Sequence, residues 1–121
     1  MVNFRNLDII SGSVFQTKLY LKKDLQMFFE TLEYSSIDIS DVGNMNHMTV
    51  DHQLMNTYKK DLKEIHKCID NALEELIKNI YMYDCNFKIA ASWATKTSGT
   101  QASDIHNHSN SWLSGVYYPQ G

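Results

Sequence analysis

The chain has 121 residues, 43% hydrophobic and 21% charged, which suits one soluble globular domain with a real core. Its net charge of −3, with lysines and acids intermixed, excludes the broad basic stripe of a nucleic-acid surface. No apolar run approaches the roughly 18 residues of a membrane span, and the N-terminal MVNFRNLDIISGSVF lacks the apolar segment and cleavage site of a signal peptide.

In chain order, SVFQTKLY over 13–20 alternates, with Phe15 and Leu19 on one face and Gln16 and Lys18 on the other, as in a half-buried strand. LKKDLQMFFETLEY follows. Its Leu21, Leu25, Phe28, Phe29 and Leu32 recur at helical spacing, which predicts a short amphipathic helix. SSIDISDVGNMNHMTVDHQ is polar, is broken by Gly43 and reads as a loop, with a short extended piece near Met48, Thr49 and Val50. From Asn56 to Tyr81 the spacing predicts a helix of about seven turns. Leu62, Ile65, Ile69, Ala72, Leu73, Leu76 and Ile80 form its stripe, and Asn56 is a suitable N-cap.

NFKIAASWATK then switches to period two, with Phe87, Ile89, Ala91 and Trp93 on one face and Lys88, Ser92 and Lys96 on the other. A small-residue loop, TSGTQASD, leads to His106 and His108. WLSGVYY reads as a strand that puts Trp112, Ser114, Val116 and Tyr118 on one side, with Gly115 allowing a close approach. Cys68 and Cys85 stand in unlike contexts without ligand spacing, which fits free thiols in a reducing, cytoplasmic compartment.

Five histidines are present, and three of them have ordinary settings. His47 and His52 fall in the polar loop and His66 near the polar face of the long helix, where an imidazole is simply solvated. His106 and His108 differ because an H-x-H pair on extended backbone projects both rings to one side. Neutral imidazole is a good ligand for first-row transition metals. Asp104 has the same parity, yet i and i+4 on a straight strand lie about 13 Å apart. It is better placed to accept an imidazole N–H than to bind the same ion.

The spacing SW-x(5)-G-x-Q-x(4)-H-x-H-x(5)-SGVYY, from Ser92 to Tyr118, resembles a group of 2-oxoglutarate/Fe(II) oxygenases within the prolyl-hydroxylase-like superfamily. The likeness covers 92–120 well and the preceding helix loosely. It implies an α+β fold in which two helices pack on a partial double-stranded β-helix, or jelly-roll, sheet. His106 and His108 would be ligands of Fe(II), and Ser114, Val116 and Tyr118 would line the 2-oxoglutarate pocket, with Tyr118 near its carboxylate.

The pattern departs from the superfamily in two respects. His108 stands where the usual ligand is Asp, and the distal His and the basic residue that clamps 2-oxoglutarate do not follow. A jelly roll has about eight strands, against the three strands and one short extended piece read here. The expectation is therefore that 1–121 is the N-terminal part of such a domain, truncated after the H-x-H strand. It should bind metal weakly without turnover, and open strand edges should favour pairing with another chain. A substrate would be a small molecule or a peptidyl side chain.

Other readings fit less of the chain. A non-enzymatic binding or scaffold domain would leave the histidines as incidental surface residues. A cupin-like metal protein also carries H-x-H on a barrel strand but adds a nearby Glu, and none follows His108. The three consecutive residues His106-Asn107-His108 do not have the separation of HNH nuclease ligands. In YKKDLKEIHK the acids offset the bases, as on a solvated helix face rather than a DNA-binding one.

Overall fold

The computed structural model describes residues 2–9, 12–35, 47–97, 108 and 110–119. In chain order the elements are β1 (Arg5–Ile9), β2 (Gly12–Gln16), α1 (Gln26–Glu30), β3 (His47–Met48), α2 (Leu54–Thr57), α3 (Lys63–Glu74), a π-helical continuation of α3 (Glu75–Ile80), and β4 (Thr95–Lys96). The class is α+β. The described ladders form two separate antiparallel pairs, β1 with β2 and β3 with β4. They do not by themselves show a double-stranded β-helix. The chain divides into two compact units, Met1–Lys23 with Tyr58–Lys88 and Asp24–Thr57 with Ile89–Gly121.

In the first unit, Arg5 pairs with Gln16 and Ile9 with Gly12 across the hairpin. The sequence-based strand over 13–20 becomes a shorter one that starts at Gly12 and ends at Gln16. Its partner β1 is a strand that the sequence reading did not include. Phe15 meets Phe4 edge-on at 6.2 Å and Tyr81 at 5.8 Å, so one ring joins the hairpin to the end of the helix. Such pairs contribute about 0.5–1.5 kcal/mol beyond the area they bury. Glu64, in the first turn of α3, accepts the backbone N–H groups of Lys22 at 2.7 Å and Lys23 at 3.2 Å. A carboxylate that sequence spacing puts on the solvated face thus fixes the chain segment approaching the helix.

The helical stripe holds until the winding changes. Leu62 and Ile65 are buried, Ile69, Ala72 and Leu73 half-buried, and Leu76 buried. Then Ile77 is 1% exposed whereas Ile80 is 40% exposed, the reverse of the α-helical expectation. The cause is the π-helical turn, in which the Tyr81 N–H donates to the Leu76 carbonyl at 2.9 Å. A wider turn rotates each successive side chain by less, which brings Ile77 onto the buried face and carries Ile80 off it. Met82 ends the helix at φ 61°, a left-handed conformation that costs a non-glycine residue about 1–2 kcal/mol. The Tyr83 N–H then donates back to the Ile77 carbonyl at 2.9 Å, which satisfies a helix-end acceptor. Cys68 and Cys85 are free thiols, half-buried and exposed respectively. Among the described residues no helix is long and apolar enough to cross a membrane.

In the second unit, α1 is shorter than the apolar spacing suggests. Thr31 ends it by donating both its amide (3.1 Å) and its hydroxyl (2.7 Å) to the Phe28 carbonyl. Leu25 is nevertheless buried and Phe28, Phe29 and Leu32 half-buried, so the stripe survives the helix that carries it. The extended piece expected near Met48 is β3, paired through His47 with Lys96 and Met48 with Thr95. Just beyond it lies Thr49, 2% exposed. Its amide donates to the Ala94 carbonyl at 2.9 Å, its hydroxyl donates to the Asp51 carbonyl at 2.9 Å, and that hydroxyl accepts the Ala94 amide at 3.0 Å.

Helix α2 starts at Leu54, and Asn56 lies inside it rather than capping it. Ser92 serves the first turn from across the unit. Its carbonyl accepts the Leu54 N–H at 3.1 Å and its hydroxyl the Met55 N–H at 3.0 Å. Asp51 tightens the approach by accepting the Gln53 N–H at 2.7 Å. The strand read over 86–96 keeps alternation only in two phases. Phe87 and Ile89 are half-buried between exposed neighbours, and then Ser92 and Ala94 are. The phase changes close to Ile89, where the second unit resumes.

Replacing Thr49 by Val should lower stability by about 1–3 kcal/mol, because the Asp51 carbonyl and the Ala94 amide lose their shared partner. Thr49→Ser should recover most of that loss. Urea unfolding followed by tryptophan fluorescence checks both, and an unchanged midpoint for Thr49→Val would contradict this account of the pin.

Asp51 gives a pH-dependent counterpart. The Thr57 hydroxyl first, then the Gln53 amide and the nearby His52, hold its carboxyl below the usual carboxylate range. Because the folded-state value lies below the unfolded one, its contribution is complete above the unfolded value and disappears as pH falls through the folded one. Asp51→Asn should therefore flatten the acid side of the stability–pH curve below about pH 4. Denaturation midpoints taken across pH 2 to 6 (roughly the range in which aspartates titrate) measure it. Parallel curves for the two proteins would refute the effect.

Candidate functional site

The backbone around Trp93 is tied on both sides. Ser92 donates its amide to the His52 carbonyl at 2.9 Å, and Ala94 exchanges hydrogen bonds with Thr49. Gln53 adds a side-chain bond from Nε2 to the Ala90 carbonyl at 2.9 Å. Trp93 itself is 38% exposed and so is not the core residue its strand pattern suggests. Its ring lies 5.5 Å from that of His52, inclined by 32°, and 5.6 Å from that of His108, inclined by 42°. Both imidazoles are on exposed residues. An indole on backbone bonded at both neighbouring residues therefore meets two histidines from different parts of the sequence.

The other sequence-derived site residues are placed as follows. His106 and Asp104 lie outside the described residues. Residues 113–118 have no regular secondary structure, where the spacing predicts a strand. Ser114 is exposed, and Val116 and Tyr118 are 75% and 73% exposed, whereas Leu113 and Tyr117 are half-buried. The side expected to face a pocket is thus the accessible side. A Cβ at Gly115 would meet nothing within 4 Å, so no close approach requires glycine there.

His47, expected to be solvated, is half-buried on β3, and its Nδ1 lies 2.8 Å from the Ser35 carbonyl oxygen as a hydrogen-bond donor. Nearby, the Lys96 ammonium lies 5.7 Å from the Tyr34 ring centroid. Burial, and then the charge of Glu30, push the Tyr34 hydroxyl's pKa up. That hydroxyl donates to the Phe29 carbonyl at 2.8 Å and belongs to the packing of the unit.

Among the described residues no group of three or more His, Cys, Asp or Glu side chains could hold a metal ion. His108 is the one member of the expected H-x-H pair that lies among the described residues. An open cleft of about 480 Å3 lies in the first unit, lined by Val2, Asn71, Glu74, Glu75, Lys78 and Asn79. It contains none of the sequence-derived site residues. Along the helix, Lys78 pairs with Glu74 at 2.9 Å and the Asn79 side-chain amide donates to the Glu75 carboxylate at 2.7 Å.

Sequence reasoning missed His52 as a neighbour of Trp93, along with the bonding roles of Thr49 and Ser92. Periodicity assigns faces to these residues, but it does not reveal which distant backbone groups a hydroxyl will reach. Comparison with protein-family models, curated proteins and solved structures finds no match to this chain.

Proposed function

We propose that this chain belongs to an Fe(II)/2-oxoglutarate-dependent dioxygenase domain of the prolyl-hydroxylase-like type, working in the cytoplasm. The observation that carries this reading is the meeting of Trp93 and His108 at 5.6 Å. These residues belong to separate blocks of the S-W, H-x-H and S-G-V-Y-Y pattern, and packing draws two of the blocks together. The fold implied is a double-stranded β-helix to which the β3–β4 ladder belongs.

In this reading His106 and His108 would hold the iron. Bound Fe(II) with 2-oxoglutarate and O2 supplies C–H hydroxylation coupled to decarboxylation of the cosubstrate to succinate and CO2. The chain's own residues bind and orient. Tyr118 would lie near the 2-oxoglutarate carboxylate, and Ser114 and Val116, on the same side of the chain, would line the same pocket. Two imidazoles are neutral donors, so the ion keeps its full charge. That weakens its hold on the protein compared with an Asp at position 108, and it favours an anionic cosubstrate. The substrate class is a small molecule or a peptidyl side chain.

A second reading, a non-enzymatic binding module, is favoured by one specific feature. The His52–Trp93–His108 cluster makes a packed aromatic surface with no metal required. Anaerobic titration of the chain with Fe(II) or Co(II), followed by calorimetry, separates the two. The oxygenase reading expects one weak site, with affinity lowered about tenfold or more in His106→Ala and in His108→Ala. Equal binding by the wild type and both variants would remove the metal site and leave the binding module.

A further inference from the structure

We propose that the end of α3 is a two-register switch in which Ile77 and Ile80 compete for one buried position. The π-helical register buries Ile77, and an α-helical register of the same residues buries Ile80. The sequence carries both candidates. Ile80 falls four residues after Leu76 and seven after Leu73, so α winding sets it on the apolar stripe, with Ile77 at the stripe's edge. In the structure Ile77 is 1% exposed and Ile80 40% exposed. Both residues are isoleucine, so either register offers the core the same side chain.

What separates the registers is local. In the π register the Tyr81 N–H donates to the Leu76 carbonyl and the Tyr83 N–H to the Ile77 carbonyl, both at 2.9 Å. The Tyr81 ring then lies 5.8 Å from that of Phe15 on β2. Against this register stand its uncommon winding and the left-handed Met82 at φ 61°. The surface bonds do not choose between the two. Lys78 with Glu74 and Asn79 with Glu75 are i,i+4 pairs, which α winding also brings together. Rewinding moves the Tyr81 N–H one carbonyl along, from Leu76 to Ile77, and turns the Tyr81 ring about the helix axis away from Phe15. The switch thereby links the winding of the helix end to the β1–β2 hairpin.

Scalar couplings across hydrogen bonds identify the acceptor of the Tyr81 N–H directly. In the wild type the Tyr81 nitrogen should couple to the Leu76 carbonyl carbon. In Ile77→Ala the coupling should move to the carbonyl carbon of position 77, and the nuclear Overhauser contacts between the Phe15 and Tyr81 rings should disappear. The urea midpoint of Ile77→Ala/Ile80→Ala should fall by more than the two single losses combined, because the second isoleucine no longer fills the vacated position. A Tyr81 nitrogen still coupled to Leu76 in Ile77→Ala would overturn the inference, and so would losses that simply add. If Ile77→Ala does not fold, Ile77→Val removes only one methyl group and carries the test. Relaxation dispersion at its Tyr81 amide should reveal exchange that Ile77→Val/Ile80→Ala lacks, and equal dispersion in the two, or none in either, would overturn the switch.

Discussion

The second unit depends on one buried hydroxyl. Thr49 Oγ1 both donates to the Asp51 carbonyl and accepts the Ala94 amide, while the Thr49 amide reaches the Ala94 carbonyl. The β3–β4 ladder proper has only two residue pairs. A ladder so short does not hold a chain in register by backbone bonding alone. The hydroxyl of the buried Thr49 extends it past its last pair. Any residue without an oxygen at this position leaves two backbone groups buried and unpaired.

From that pin the rest of the unit follows in order. Ala94 is fixed, and Ser92, two residues earlier, is bonded to His52 and serves as the distant cap of α2. Trp93, between them, is held on both sides and offers its ring to His52 and His108. Polar bonding along the backbone thereby becomes an aromatic contact at the surface.

Much of this was legible in the sequence, though unevenly. The apolar stripe from Leu62 to Leu76 was readable because burial of one helix face follows from spacing alone. It fails at Ile77 and Ile80, where the winding changes in a way that no residue type announces. The extended piece at Met48 was legible from composition, but the long helix begins at Lys63 rather than at Asn56, with Leu62 before it and no side-chain cap, while Ser92 and Asp51 serve the separate short helix α2. The alternation in WLSGVYY correctly separates Leu113 and Tyr117 from Ser114, Val116 and Tyr118. It does not say which set faces inward, since that depends on what covers each side. At the candidate site, His108 was chosen for its spacing from His106, whereas its contact with Trp93 depends on a chain path that periodicity does not encode.

Amide hydrogen exchange read residue by residue tests the central claim most directly. If the Thr49 hydroxyl is the pin, the amides of Thr49 and Ala94 exchange slowest in their unit, and at a common rate set by its cooperative opening. An Ala94 amide that exchanges as fast as that of the exposed Val116 would show that the hydroxyl holds nothing.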